Sequence, residues 1–216
     1  MDNFIADFVK AGEDHISYGA FMKGAARGGR FERNLIVCAL QLQRQRGQRV
    51  GLSFGGGGAG RQFCRDERCE YEYDEGFIIN NIIAHCNDFG IDLFKARNTV
   101  VSHNTLINTS GIDVRVFPAS AVISNNLLEG RIRERDGGWM VEANNTISRL
   151  DTLFEDADRL DLRWRQPPEA VPSVVGVTAD FCGVPRGPMT IPGAVVDAAC
   201  LKANDPLTDR KIEASY

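Results

Sequence analysis

The charged residues that could do chemistry are spaced regularly in the middle of the chain. Asp92 and Asp113 end two copies of the tripeptide Gly-Ile-Asp, 21 residues apart, and Lys95 and Arg115 follow them. If the two copies are neighbouring strands of one sheet, the carboxylates lie about 4.8 Å apart. Such carboxylates repel each other unless a proton or cation intervenes, and Ca²⁺ binds oxygen ligands of this kind. The spacing predicts either a Ca²⁺ site at Asp92 and Asp113 or two solvated carboxylates balanced by Lys95 and Arg115.

Lys95 and Arg115 also suit β-elimination from a uronic acid. That reaction needs a base for the C5 proton, a positive charge beside the carboxylate and an acid for the leaving oxygen. Lys95 would be the base and Arg115 the positive charge, with Lys23 as a second candidate base. The alternative reaction is glycoside hydrolysis, for which Asp92 and Asp113 would be the two carboxyl groups flanking the bond.

These residues belong to a repeat that occupies the segment from Gly76 to Gly130. In each copy a short apolar run ends in Asn, two aliphatic residues follow, and a small polar turn leads to a Gly-Ile-Asp strand or its equivalent. Asn81, Asn104 and Asn126 are 23 and then 22 residues apart, which leaves room for roughly three short strands with tight turns. A fixed period of this length without a helix is typical of a β-solenoid.

The repeat predicts an all-β chain wound as a right-handed parallel β-helix of about five coils. Stacked coils would form three parallel sheets around an aliphatic core, because equivalent positions of neighbouring coils lie side by side. An Asn at the same turn of every coil can then hydrogen-bond to the next Asn as a ladder. The predicted Asn column extends beyond the clear repeats and consists of Asn3, Asn34, Asn81, Asn104, Asn126 and Asn145.

Alternation along the Gly-Ile-Asp strands predicts which side chains point outward from their sheet. One outward column is expected to hold Ser17, Gly51, Asp92 and Asp113. A second is expected to hold Gly19, Ser53, Phe94 and Arg115. The candidate substrate-binding residues on and beside this face are Tyr18, Ser53, Asp92, Phe94, Arg97 and Asp113.

The repeat also suggests a domain organisation. Positions 1–149 are expected to form the β-helix, and positions 150–216 an irregular C-terminal tail that caps it. Asn34 and Asn81 are 47 residues apart, about twice the regular spacing, which indicates inserted loops at 41–49 and 55–75. Insertions in solenoids often emerge on the binding face, so the 55–75 loop is expected to wall a groove beside the Gly-Ile-Asp sheet.

The first coil carries no evident cap, although an uncovered coil exposes strand edges and core. The chain is therefore expected either to be a fragment of a larger β-helix protein or to have its open first coil covered by another subunit in a homo-oligomer.

Six cysteines, an even number, favour an oxidising compartment. Cys64 and Cys69 bracket a short polar loop, a spacing that suits a disulfide, and Cys182 and Cys200 could close the tail in the same way. The remaining two lie beside aliphatic strands, where buried thiols are expected: Cys38 and Cys86.

Composition excludes several classes of function. The chain has 216 residues and a formal net charge of −4, which argues against a nucleic-acid-binding protein because such proteins carry a basic face. No run approaches the roughly 18 apolar residues of a transmembrane helix, so membrane insertion is not expected. No signal segment opens the chain, yet the cysteines predict a secreted or periplasmic protein.

The Asn repeats and the closing segments 154–163, 178–186 and 192–195 resemble the right-handed β-helix families of pectate-lyase-like architecture, over most of the chain. Lys95-Ala96-Arg97-Asn98 followed by Arg115 resembles the Lys-then-Arg pairing of alginate and dermatan lyases of the β-helix class. The resemblance implies an acidic polysaccharide as substrate or partner, with Lys95 as base. Two hypotheses follow: a polysaccharide lyase, or a non-catalytic carbohydrate-binding or structural solenoid.

Overall fold

The chain is built from short strands, as seen in a computed structural model that describes residues 1–12, 15–42, 46–198 and 200–201. Single-turn 3-10 helices lie at Arg61–Phe63, Leu150–Thr152 and Ala157–Arg159. The strands in chain order are β1 (Phe4–Ala6), β2 (Ile16–Met22), β3 (Ala26–Arg27), β4 (Arg30–Glu32), β5 (Leu35–Val37), β6 (Gln48–Phe54), β7 (Tyr73–Asp74), β8 (Phe77–Ile79), β9 (Ile82–Ala84), β10 (Ile91–Phe94), β11 (Ala96–Arg97), β12 (Thr99–Ser102), β13 (Thr105–Ile107), β14 (Gly111–Arg115), β15 (Ser120–Ser124), β16 (Leu127–Leu128), β17 (Arg131–Arg135), β18 (Trp139–Ala143), β19 (Thr146–Ile147), β20 (Phe154–Asp156), β21 (Asp161–Trp164), β22 (Val171–Pro172) and β23 (Met189–Thr190).

Nineteen of these strands form four parallel sheets, and the chain visits the three large ones in a fixed cyclic order. Along the chain, a strand of sheet A is followed by one of sheet B, then one of sheet C, and then the next strand of sheet A. In the first three of these cycles, a strand of the small sheet D lies between the strands of sheets B and C. The predicted all-β class with parallel sheets is confirmed. Sheet A contains β1, β5, β9, β13, β16 and β19; sheet B contains β2, β6, β10, β14 and β17; sheet C contains β4, β8, β12, β15 and β18; sheet D contains β3, β7 and β11.

Aliphatic side chains from the three large sheets share one buried core. Ile91 of β10 pairs with Leu52 of β6 on one side and with Ile112 of β14 on the other. All three side chains are fully buried and belong to the same cluster as Ile83 of sheet A and Val101 of sheet C. Strand alternation thus sends one side chain inward and the next one outward.

The Asn column forms as predicted, and it fixes the corner between sheets C and A. The Oδ1 atom of Asn104 accepts hydrogen bonds from both the backbone N–H and the side-chain amide of Asn81, each at 2.9 Å. Asn126 does the same for Asn104, at 2.9 and 3.0 Å. The residue before each of these Asn side chains has a left-handed φ, for example 55° at Asn80 and His103. The same pairing continues through Asn3, Asn34, Asn81, Asn104, Asn126 and Asn145.

The C-terminal tail packs along the outer side of sheet A. Phe154, Leu162 and Val195 lie in a second buried cluster with Val37 and Ile82 of that sheet. β20 with β21 and β22 with β23 pair antiparallel within the tail. The predicted tail therefore covers the flank of the strands, and its positions 202–216 lie outside the described residues.

All six cysteines form disulfides. The expected Cys64–Cys69 and Cys182–Cys200 pairs are confirmed. The expectation of buried thiols for the other two was wrong, because Cys38 and Cys86 form a disulfide as well. They follow the paired strands β5 and β9, which brings their Cα atoms to 4.9 Å although 48 residues separate them.

The three disulfides suggest an oxidising or extracellular compartment. Within the described residues, every helix is too short or too polar to cross a bilayer.

Strands occupy the ends of both segments that were predicted as inserted loops. β6 begins at Gln48, so the strand takes up the end of the 41–49 segment, of which 43–45 lie outside the described residues. Likewise β7 at Tyr73–Asp74 pairs with β3 and β11, so the end of the 55–75 segment belongs to sheet D.

We expect an Asn→Ala substitution in the Asn column to destabilise the protein much more at a buried position than at an exposed one. Asn104→Ala removes the acceptor of two buried donors, so we expect the free energy of unfolding to fall by about 3 kcal/mol, measured by denaturant titration. Asn3→Ala is the matched control, because Asn3 is exposed and water can replace its partners. Equal effects at the two positions would contradict a structural role for the buried ladder.

His103 predicts a specific loss of stability in acid. Its ring is 0% exposed, and burial together with the nearby Arg186 guanidinium lowers its pKa from 6.5 to about 3. Between those two values the unfolded chain binds a proton that the folded chain does not, so acidification destabilises the fold by about 1.4 kcal/mol per pH unit. His103→Asn suits the left-handed φ and should remove this contribution. Identical stability slopes for the two proteins between pH 6 and pH 4 would refute this assignment.

Candidate functional site

The outward face of sheet B carries the charged residues, in two columns set by strand register. The first column runs from Phe21 through Ser53, Asp92 and Asp113 to Arg133. The second contains Phe94, Arg115 and Arg135. The predicted pairings Asp92 with Asp113 and Phe94 with Arg115 are confirmed. The expected register of β2 and β6 was wrong by two residues. Ser17 pairs with Arg49 instead of Gly51, and Ser53 pairs with Phe21 and Asp92 instead of Gly19 and Phe94.

Asp92 is buried, and Arg115 covers it. The Arg115 Nε and one terminal nitrogen donate to the two Asp92 carboxylate oxygens, at 2.7 and 3.1 Å. The same guanidinium lies 4.6 Å from the centre of the Phe94 ring. Ser53 donates its hydroxyl to the Asp92 carbonyl oxygen at 2.7 Å. Arg115 is therefore held by a charged partner and an aromatic ring at once.

Asp113 is also buried, and it lies beneath three guanidinium groups. Arg133 donates at 2.8 Å, Arg135 pairs at 3.0 Å and Arg115 lies at 3.6 Å. The prediction of solvated carboxylates was wrong, since Asp92 and Asp113 are 1% and 0% exposed.

Ca²⁺ was predicted to bind between Asp92 and Asp113, but guanidinium groups already contact the carboxylate oxygens of both residues. A Ca²⁺ ion there would have to displace at least one of those groups, because it needs six or more oxygen ligands. Among the described residues, the grouping with metal-ligand spacing is Cys64, Cys69 and Glu72, whose two sulfurs are joined in a disulfide. Ca²⁺ binding stays a prediction.

A cleft of about 450 Å³ opens above these columns, and we call it the arginine cleft. It runs from β2 and β6 across β10 to β14 and β17. Arg131, Arg133 and Arg135 occupy alternate positions of β17 and line the same side of it. The residues that give the cleft its chemistry are Tyr18, Asp88, Phe89, Asp92, Arg115, Arg131, Arg133 and Arg135.

Positive charge dominates the arginine cleft. Four guanidinium groups and two carboxylates line it, although the whole chain carries a net charge of −4. Arg131 is exposed, and no residue in the described ranges forms an ion pair with it. Arg133 stacks 4.6 Å from the centre of the Phe89 ring. An anion entering the cleft would therefore meet oriented guanidinium groups and at least one without a carboxylate partner.

Asp88 is the unusual acid of this cleft. Its carboxyl group is half-buried, and burial together with the charges of Asp92 and Asp113 raises its pKa. None of the ion pairs within the described residues includes it, in contrast to Asp92 and Asp113. A carboxyl group with a raised pKa beside a ligand cleft is suited to proton transfer.

The residues predicted from the sequence are only partly brought together. Tyr18, Asp92 and Arg115 line the arginine cleft, and Asp113, Ser53 and Phe94 support it from below. That set of six lies on one face of one sheet. The resemblance-based pairing of Lys95 with Arg115 is not reproduced as a shared lining of this cleft.

The remaining predicted residues lie elsewhere. Lys23 donates to the Gly58 carbonyl at 2.7 Å and lines a neighbouring cleft. Lys95 occupies the corner after β10 with a φ of 49°. Arg97 stacks 3.9 Å from the centre of the Tyr71 ring and pairs with Asp74 at 3.0 Å in sheet D.

Sequence reasoning missed five of the eight residues that give the cleft its chemistry. A signal for three of them was present, because Arg-Ile-Arg-Glu-Arg at 131–135 follows Gly-Ile-Asp-Val-Arg at 111–115 by one period. The isoleucines align, so arginines replace Gly and Asp at the outward positions. The missed residues are Asp88, Phe89, Arg131, Arg133 and Arg135.

Comparison of the chain with protein-family models, with curated proteins and with solved structures finds no match. The contacts within the arginine cleft are therefore the grounds on which a function can be proposed.

The buried carboxylate beneath the cleft predicts a large effect of a small substitution. Asp113→Asn removes the charge that three guanidinium groups share, so we expect the free energy of unfolding to fall by about 3 kcal/mol in a denaturant titration. The control is Asp151→Asn, which breaks an exposed pair with Arg149 and should not change stability measurably. A stable Asp113→Asn protein would mean that the guanidinium groups do not depend on this carboxylate.

Proposed function

We propose that this protein binds an acidic polysaccharide or oligosaccharide in the arginine cleft. The observation that carries the proposal is the set of four guanidinium groups along one open cleft, three of them at alternate positions of β17. A planar guanidinium binds a carboxylate or sulfate through two parallel hydrogen bonds. Alternate residues of a strand are about 7 Å apart, so the cleft presents regularly spaced anion-binding groups to an extended chain.

The aromatic side chains in the same cleft support the proposal that the bound anionic group belongs to a sugar. Phe89 lies beneath Arg133 and Tyr18 lines the opposite part of the cleft. Aromatic rings offer flat apolar surfaces, and a tyrosine adds a hydroxyl group that can hydrogen-bond. The volume of about 450 Å³ lies in the range of small-ligand sites.

We also propose that sheets A, B and C wind as a right-handed parallel β-helix of about five coils. The fixed cyclic order of the sheets supports this winding, as does the Asn column at one corner. Connections between parallel strands are right-handed in nearly all proteins, which favours that hand. The proposed winding is the architecture that the resemblance to pectate-lyase-like families implies.

We also propose that the protein is secreted or periplasmic. Disulfides persist in such compartments, and polysaccharides of the cell surface and matrix are met there. The three disulfides support this location.

A lyase reaction is the second candidate function, and Asp88 favours it. In this scheme the Asp88 carboxylate removes the C5 proton of a uronic acid while Arg115 binds the substrate carboxylate. The C4–O bond then breaks, a C4–C5 double bond forms, and the Tyr18 hydroxyl gives its proton to the leaving oxygen. All three side chains line the arginine cleft. The alternative is a binding module without catalytic activity.

Arg131 provides the direct test of binding. Because it is exposed and has no carboxylate partner among the described residues, Arg131→Ala should lower the affinity for a uronic acid oligosaccharide about tenfold and leave stability unchanged. Isothermal titration calorimetry measures the affinity, with galacturonate, mannuronate and glucuronate oligosaccharides as ligands. Arg159→Ala, at an exposed arginine of the tail, is the matched control. Unchanged affinity in Arg131→Ala, or no binding of any of these ligands to the wild type, would refute the proposal.

Asp88 provides the test of the reaction. The ultraviolet absorbance of the unsaturated product would be followed with each polyuronide, with and without Ca²⁺. Asp88→Asn should abolish any rise in absorbance while the oligosaccharides still bind. Activity that survives in Asp88→Asn but is lost in Lys23→Ala or Lys95→Ala would return the role of base to those lysines. Binding without any absorbance change in the wild type would identify a non-catalytic module.

A further inference from the structure

A second cleft of about 520 Å³ lies next to the arginine cleft on the same face of the molecule. We call it the aromatic cleft, and the proposed function does not yet use it. The two clefts share Ile16 and Tyr18 of β2, so they adjoin each other at these two residues. The residues that define the aromatic cleft are Phe8, Tyr18, Phe21, Lys23 and the glycines 56–58.

We infer that the ligand is an oligosaccharide of two parts, with an anionic unit in the arginine cleft and an uncharged pyranose ring in the aromatic cleft. This inference rests on the proposed function and adds the order of charged and neutral units to it. Its basis is the exposed Phe21 ring, the glycine loop that packs beside this ring, and the partners that the Lys23 ammonium group already has.

Phe21 is a partly exposed aromatic side chain in the lining of this cleft. It is 48% exposed although it lies within β2, and it belongs to the same outward column as Ser53 and Asp92. Tyr18 packs edge-on against it, with ring centroids 5.6 Å apart. A pyranose ring can stack a C–H face on the face of an exposed aromatic ring, because both surfaces are flat and weakly polar.

The loop opposite Phe21 consists of glycines for a reason that the geometry shows. Gly56, Gly57 and Gly58 have φ values of 48°, 76° and 97°. A Cβ atom on Gly56 would lie 2.9 Å from the Phe21 ring, and one on Gly57 would lie 3.2 Å from the Tyr18 hydroxyl. Any side chain here would fill the space beside the two rings. The glycines therefore allow the loop backbone to pack directly against the two aromatic side chains.

The Lys23 ammonium group of the aromatic cleft already has two interaction partners. Lys23 donates to the Gly58 carbonyl at 2.7 Å and lies 5.2 Å from the centre of the Phe21 ring. Lys10 is the other basic residue of the lining. Arg131 in the neighbouring cleft is exposed and has no carboxylate partner among the described residues, so we assign the anionic unit to that cleft and the uncharged ring to the aromatic side chains of this one.

A chain of hydrogen bonds fixes the two clefts relative to each other. The Gly56 N–H donates to the Ser53 hydroxyl at 3.0 Å, and that hydroxyl donates to the Asp92 carbonyl at 2.7 Å. The Asp92 carboxylate in turn holds Arg115. The glycine loop and the guanidinium are thus positioned by one network before a ligand arrives, which reduces the entropic cost of binding.

The test compares three ligands of one sugar series by calorimetry, and is repeated for galacturonate, mannuronate and glucuronate. They are the monosaccharide, the fully charged trisaccharide, and the trisaccharide methyl-esterified at all units but one. We expect the wild type to bind the last of these tightest, about tenfold more tightly than the monosaccharide. Phe21→Ala should abolish that gain without changing the affinity for the monosaccharide, and Phe21→Trp should keep it. Phe63→Ala is the control, since Phe63 is exposed outside both clefts.

Two results would overturn the inference while leaving the proposed function intact. One is a fully charged trisaccharide that binds as tightly as the esterified one, which would mean that the aromatic cleft takes an anion. The other is a gain that survives in a folded Phe21→Ala protein, which would place the additional units elsewhere. Failure of all ligands in all three series to bind the wild type would overturn the proposed function and this inference together.

Discussion

The buried Asn column is the interaction on which the rest of the structure depends. Each of its inner amides accepts a backbone N–H and a side-chain N–H from the neighbouring Asn, in surroundings that exclude water. A slip of one residue between neighbouring strands would break these bonds and turn core side chains to the outside. The column therefore sets the register at one corner, and the paired strands carry that register across to sheet B.

Register at sheet B in turn builds the arginine cleft. Asp92 and Asp113 stack in one column, and both are buried, which is costly for carboxylates unless charged partners reach them. The partners come from the next two strands, as Arg115, Arg133 and Arg135. Burial of the acids thus fixes the guanidinium groups at the surface, where they face the cleft with part of their donors free for an anion.

The regular repeats could be predicted because they are local and periodic. The Asn column, the all-β class and the pairing of Asp92 with Asp113 followed from spacing alone. The position of Ser53 did not, because a slip of two residues keeps every side chain on its original face and leaves the apolar pattern unchanged.

Three further features could not be predicted from the spacing of residues in the sequence. The Cys38–Cys86 disulfide joins residues 48 apart, and an insertion conceals that they follow paired strands. In β17, arginines replace the Gly and Asp of the Gly-Ile-Asp sequence. The strand that supplies three of the four guanidinium groups of the cleft therefore no longer resembles the repeat. The raised pKa of Asp88 arises from burial and from Asp92 and Asp113, which only the folded chain brings together.

A crystal structure of the protein with a saturating uronic acid trisaccharide would test the central claim most directly. The account predicts electron density for the sugar in the arginine cleft, with a carboxylate within hydrogen-bond distance of the Arg131 or Arg133 guanidinium. Density for the sugar at another surface, with the arginine cleft containing only water at the same ligand concentration, would contradict it.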